Sequence, residues 1–194
     1  MVIIPSSRTI FVHVPRTSGT ALSRALCRAF PDAVWLDSFA WMHATTAMAR
    51  QLFAGEVRVF TILRNPWSIF ASHWGWARSL ARHGSAIEPP WFRDLVLSQD
   101  CLPFRAAVRV AIHCHYLAGE GGFFARYCDA QTMLYHYEDR PYQAIGELLG
   151  RPLDVVLENE TLDDPPAWDL ATIEAIADYC RGDLERFSYS PPAV

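Results

Sequence analysis

Two short stretches carry residue types suited to holding a phosphate-like anion. In the first, Arg16-Thr17-Ser18-Gly19-Thr20 follows the apolar run Ile10–Val14 and Pro15. It leads into a helical pattern of Ala21, Leu22, Ala25, Leu26, Ala29 and Phe30, closed by Pro31. A loop between a strand and a helix faces the unpaired amides of the first helical turn, which favour negative charge. Gly19 lets the backbone approach an oxyanion, Thr17, Ser18 and Thr20 add hydroxyls, and Arg16 adds a planar, permanently charged fork. The plain alternative is an ordinary polar strand–helix loop, since the spacing is neither GxGxxG nor GxxxxGK[ST].

The second stretch repeats the pattern. Val57–Leu63 is a strand-like run that ends on a base, Arg64, followed by Asn65 as a helix cap and Pro66 in the first turn. Ser72 lies two turns further on, spaced to close with Arg64 on one phosphate. Arg64 by itself reads more often as a salt-bridged surface residue. Two basic strand ends in one small sheet are the stronger signal.

The elements around these stretches set the fold expectation. Val34–Leu36 and Gln131–His136 read as further strands. His43–Phe53, Phe104–Leu117, Asp139–Gly150 and Ala167–Arg181 read as helices, with Gly55 and Gly150 as stops. Met1–Ile4 is a short apolar run, interrupted by Pro5, Ser6, Ser7 and Arg8. Strands alternating with helices predict an α/β fold with a mostly parallel central sheet flanked by helices. One domain over residues 1–194 is expected, with a lid-like insertion around 74–104, where Gly84, Pro89, Pro90 and Pro103 break the periodicity. Trp74, Trp76, Trp91 and Phe92 in that region are candidates to stack on a ring, or simply to pack the lid. Arg78, Arg82 and Arg93 are candidates for an anionic acceptor.

Composition narrows the function classes. The 194 residues are 51% hydrophobic and 20% charged, which supports a buried core. A net charge of −4 argues against a nucleic-acid binder. The acidic residues crowd the C-terminal part, whereas Arg8, Arg16, Arg24, Arg28, Arg50, Arg58 and Arg64 place positive charge in the N-terminal part, where an anionic ligand would be drawn. Five cysteines without a CxxC pair read as reduced thiols of a cytoplasmic protein. No signal peptide and no membrane span are expected. No metal is expected either: His113 and His115 point apart in a helix.

The two stretches together resemble the carbohydrate-type sulfotransferases. VHVPRTSGTAL is similar to their 5′-phosphosulfate loop, roughly H-x-P-K-T-G-G-T-S-L, and FTILRNPWSIFASHW to their 3′-phosphate motif, roughly F-x-x-x-R-N-P-[YW]-x-R-x-x-S. Softer likenesses lie in YHYEDR, Asn159 and ADYCRGDLERFSY, so the resemblance spans nearly the whole chain. It implies a P-loop-like architecture and transfer of a sulfuryl group from 3′-phosphoadenosine 5′-phosphosulfate (PAPS) to a hydroxyl of a saccharide or small molecule. Carried over by position, Arg16, Thr17, Ser18, Gly19, Thr20 and Ala21 would cradle the 5′-phosphosulfate, and Arg64 and Ser72 the 3′-phosphate. The catalytic candidates are Arg16 and His43. The histidine stands where several relatives carry a His-Ala-Thr segment, and its plain alternative is a capping or surface histidine. Glu88 and Glu138 are the other candidate bases. His13 is expected to orient the loop, and His73, His113, His115 and His136 to be structural.

Three positions depart from the family pattern: Arg16 replaces lysine, Ser18 replaces the first glycine, and Ile69 replaces an arginine. Arginine stabilises negative charge but does not donate a proton. A relative that binds PAPS or its product without turnover, and a P-loop kinase, are the competing readings. The kinase would need a Lys-Ser/Thr ending to the loop, which is missing here.

Overall fold

The computed structural model describes residues 1–38, 43–82, 104–113, 124–157 and 167–193. Five strands are described: β1 (Val2–Ile4), β2 (Thr9–Val12), β3 (Val34–Trp35), β4 (Arg58–Leu63) and β5 (Met133–His136). They form one sheet in the order β3-β1-β2-β4-β5. The sheet is mixed. β2, β4 and β5 pair in parallel, whereas β1 is antiparallel to both β2 and β3. The difference from the mostly parallel expectation lies in β1. Its three residues are too few to show a strand period. Pro5–Ser7 and the left-handed Arg8 (φ 48°) turn the chain back, so that Ile4 pairs with Thr9.

The described residues fall into two compact units, Met1–Arg64 with Phe124–Glu158, and Asn65–Phe123 with Asn159–Val194. The first holds the sheet with helices α1 (Gly19–Ala29), α2 (Thr46–Arg50) and α5 (Tyr142–Leu149). Its core joins Val2, Ile4, Phe11, Phe60 and Ile62 to Leu22, Leu26 and Phe30 of and beside α1, and to Ile145 and Leu149 of α5. The opposite-pointing residues Ile10, Val12, Val59 and Leu63 are buried as well, and α2 packs on β2 and β4. Burial on both faces explains why β2 and β4 read as continuous apolar runs rather than alternating ones.

In the second unit, α3 (Pro66–Arg82), α4 (Phe104–His113), α6 (Leu170–Tyr179) and α7 (Arg181–Phe187) are described. Aromatic edges join α3 to α6 and to α4: Phe70 meets Tyr179 at 6.2 Å, and Phe104 meets Trp74 at 5.5 Å and Trp168 at 4.9 Å between ring centroids. Trp67 donates its indole N–H to the Ile173 carbonyl at 3.1 Å. Trp74 and Trp76 therefore lie on a helix, and Arg78 stands over the Trp74 ring at 4.5 Å. Glu88, Trp91, Phe92 and Arg93 of the expected lid lie outside the described residues, as does Asn159.

Candidate anion-binding site

β2, β4 and β5 run in register, with Val12 beside Thr61 and Leu63 beside His136, so their carboxyl ends share one edge of the sheet. Three segments of the first unit leave from that edge: the loop His13–Ser18, Arg64, and the turn Tyr137–Tyr142. In open α/β sheets such an edge is where ligands bind.

The loop is tightly shaped. Arg16 (φ 63°) and Ser18 (φ 59°) are left-handed, with Thr17 between them at negative φ. A backbone that alternates in hand turns successive N–H groups towards one side, a concavity suited to anions. Left-handed conformations are unfavourable for residues other than glycine, by roughly 1–2 kcal/mol each, so the surroundings must hold them. Thr17 is fully buried and donates its hydroxyl to the Val14 carbonyl at 2.8 Å. Arg64 donates Nη1 to the Arg16 carbonyl at 2.9 Å. Ser18 donates Oγ to the Thr17 carbonyl at 2.6 Å and lies 2.7 Å from the Tyr142 hydroxyl. Thr20 is half-buried and Ala21 buried in the first turn of α1.

Gly19 carries a packing requirement that its sequence context does not show. It lies in the helix, where no unusual φ is required. A Cβ at that position would fall inside the imidazole of His13. His13 is 4% exposed and wedges against the start of α1, so the glycine makes room for a side chain of its own protein. His13 also presents its carbonyl to His43. Nδ1 of His43 lies 3.0 Å from that oxygen, and the two rings meet edge to face at 4.8 Å. A carbonyl only accepts, so His43 carries its proton on Nδ1 and leaves Nε2 with a lone pair. Burial pushes both histidines below their ordinary pKa. For His13 the neighbouring His43 adds to the effect; for His43 the bond to the His13 carbonyl offsets part of it. Both rings are neutral at pH 7.

The electrostatics favour an anion. Burial, followed by the nearby Arg64, lowers Arg16 to about 10, which leaves it charged at neutral pH. Burial also lowers Arg64, opposed by Tyr137, Glu138 and Tyr142. The Arg64 guanidinium lies over the Tyr137 ring at 4.3 Å. Its Nε is buried without a hydrogen-bond partner among the described residues. A buried guanidinium lowered further by its neighbour, and a neighbour with an unsatisfied donor, are stabilised by a multiply charged oxyanion.

Arg16, Thr17, Ser18, Gly19, Arg64 and His43 are thus gathered in the first unit. Ser72 is half-buried on α3 of the second unit. Glu138 is exposed in the turn after β5. His73 is buried on α3 and lies 5.4 Å from the Trp76 ring. The sequence reading missed Tyr137 and Tyr142 as site residues. The signals were the YHYEDR likeness, which contains Tyr137, and their position after a parallel strand, on either side of Arg140-Pro141. Among the described residues, no group of three or more His, Cys, Asp and Glu stands together as a metal site, and no helix is long and apolar enough to cross a membrane. No family model and no curated protein matches the chain.

Proposed function

We propose that the chain is a PAPS-dependent sulfotransferase that acts on a hydroxyl of a saccharide or small molecule. The observation that carries this reading is the convergence of Arg16 and Arg64 on one strand–helix loop, with Arg64 Nε buried and unsatisfied. The resemblance of both motifs to the sulfotransferase pattern gives the anion its identity, and it supports a P-loop-like arrangement of β2, the loop and α1. Loop residues Arg16–Ala21 would hold the 5′-phosphosulfate, and Arg64 the 3′-phosphate; Ser72 joins on sequence resemblance alone.

The donor supplies a sulfuryl group, which passes in line to the acceptor oxygen as adenosine 3′,5′-bisphosphate departs with the electron pair of the broken S–O bond on its 5′-phosphate. Arg16 and the first-turn amides of α1 stabilise charge on the departing side. Nε2 of His43, freed by the bond that Nδ1 makes to the His13 carbonyl, accepts the proton of the acceptor hydroxyl. Calorimetry with adenosine 3′,5′-bisphosphate against ATP–Mg²⁺ tests binding, and labelled sulfate transfer from PAPS to an acceptor panel tests turnover. Binding of ATP–Mg²⁺ in preference to the bisphosphate would replace this reading with a kinase.

A second reading, a PAPS-binding relative without turnover, is favoured by Arg16, which holds charge but gives no proton. Activity gained in Arg16→Lys over an inactive parent would establish it. Activity lost in Arg16→Lys would mark an adapted arginine.

A further inference from the structure

We propose that Tyr142 is a positioning residue. Its hydroxyl locks Ser18 in the left-handed conformation and keeps the Ser18 hydroxyl away from the amides of α1. The proposal rests on the reading of the loop as an anion cradle. Ser18 stands at the N-cap of α1 with φ 59° and ψ 22°, and its side chain makes no capping bond. That is unusual, because a serine at an N-cap normally accepts from the second or third amide of its own helix. Here the hydroxyl makes its two hydrogen bonds elsewhere. Its single hydrogen goes to the Thr17 carbonyl at 2.6 Å, so in the 2.7 Å contact Tyr142 is the donor. The serine oxygen is thereby turned from the helix, and the first-turn amides keep no competitor from the loop's own serine.

Tyr142 is well placed for this role. It opens α5 directly after Pro141, whose ring fixes the backbone, and its N–H bonds the Arg140 carbonyl at 2.9 Å. The same turn carries Tyr137, the ring beneath Arg64. One turn after β5 therefore seats both the arginine and the serine of the cradle. A glycine at position 18 would adopt the left-handed conformation unaided. A serine there needs the tyrosine.

The test is a double-mutant cycle of Tyr142→Phe and Ser18→Gly, both conservative in volume or backbone demand, read by calorimetry with adenosine 3′,5′-bisphosphate. Tyr142→Phe in the Ser18 background frees the serine to cap its own helix, and one net hydrogen bond predicts about fivefold to tenfold weaker binding. In the Ser18→Gly background the same change is expected to weaken binding less than about twofold, because no hydroxyl remains to be held. The unfolding midpoint of Tyr142→Phe should move little, since the serine exchanges one bond for another. Equal weakening in both backgrounds, or none in the first, overturns the proposal. If the parent binds inorganic pyrophosphate but not the bisphosphate, the sulfotransferase reading fails, and the cycle is run with pyrophosphate. If it binds neither, the Ser18 Cα and Cβ chemical shifts decide. Movement away from left-handed values in Tyr142→Phe supports the lock, and unchanged shifts overturn it.

Discussion

The two basic strand ends look alike in sequence and are built oppositely. After β4, the Asn65 side chain accepts from the Trp67 amide at 3.1 Å and donates to the Ser190 carbonyl at 2.9 Å, while Pro66 fills the first helical position without needing a partner. That helix start is capped by its own preceding side chain. After β2, the N-cap serine turns its hydroxyl away, two non-glycine residues are left-handed, and the first helical residue must be glycine because a histidine ring occupies the space beside it. One helix start is capped by the side chain before it, whereas the other holds left-handed residues beside the unsatisfied Nε of Arg64. A strand–base–helix pattern is therefore not enough to define an anion site. What matters is whether the cap spends its hydrogen bonds on its own helix.

The comparison breaks most visibly at Gly19. Gly19→Ala pushes a methyl into the His13 ring and should destabilise the protein by about 3 kcal/mol, the upper end for overpacking a dense core. Chemical denaturation measures it, and His13→Ala in the same chain should recover part of the loss. Full stability in Gly19→Ala would mean that the ring moves freely and that the wedge is unimportant.

Next comes the contrast between neighbours. Arg64→Ala removes charge-assisted bonds of about 2–3 kcal/mol in all, so adenosine 3′,5′-bisphosphate should bind roughly a hundredfold more weakly. Asn65→Ala should lose about 1 kcal/mol of folding stability, the usual value of a cap, and leave that affinity unchanged. The reverse pattern would put the anion at the second turn.

The histidine pair gives a pH signature. Both are held neutral in the fold, with pKa below the ordinary value, so the unfolded chain binds more protons below about pH 6.5. Stability is fully present above that pH and is lost as pH falls towards the folded values, with a limiting slope of about 1.4 kcal/mol per pH unit for each histidine. Urea titrations from pH 7.5 to 5 measure the slope, and His43→Gln should reduce it. A slope unchanged by His43→Gln would place the His43 pKa at its ordinary value. The smallest effect is expected for Ser72→Ala. If Ser72 joins the 3′-phosphate as proposed, its single bond to a charged acceptor is worth about 1.5 kcal/mol, so bisphosphate affinity should fall about tenfold, below the effect of Arg64.

Much of this was legible in the residues. The runs Ile10–Val14 and Val57–Leu63 marked β2 and β4, because strands covered on both faces lose their alternation and become continuous apolar segments. Asn65-Pro66 marked the start of α3, and Gly150 the end of α5, where its φ of 69° favours a residue without Cβ. These features are local, and local chemistry writes itself into adjacent residues. The reversal of β1 was not legible, since three residues carry no period and pairing direction is set by distant partners. The packing requirement on Gly19 was not legible for the same reason: it comes from His13, across the loop rather than along it.

The sequence by itself determined the α/β alternation, the positions of two basic strand ends and the types of donor they carry. Only the tertiary structure decided which donors remain unclaimed. Asn65 closes its helix, Ser18 is drawn off by Tyr142, and Arg64 is drawn to the Arg16 carbonyl across the sheet edge with Nε left over. Hydrogen-bond capacity belongs to a residue type, but whether it is used depends on neighbours far away in the chain.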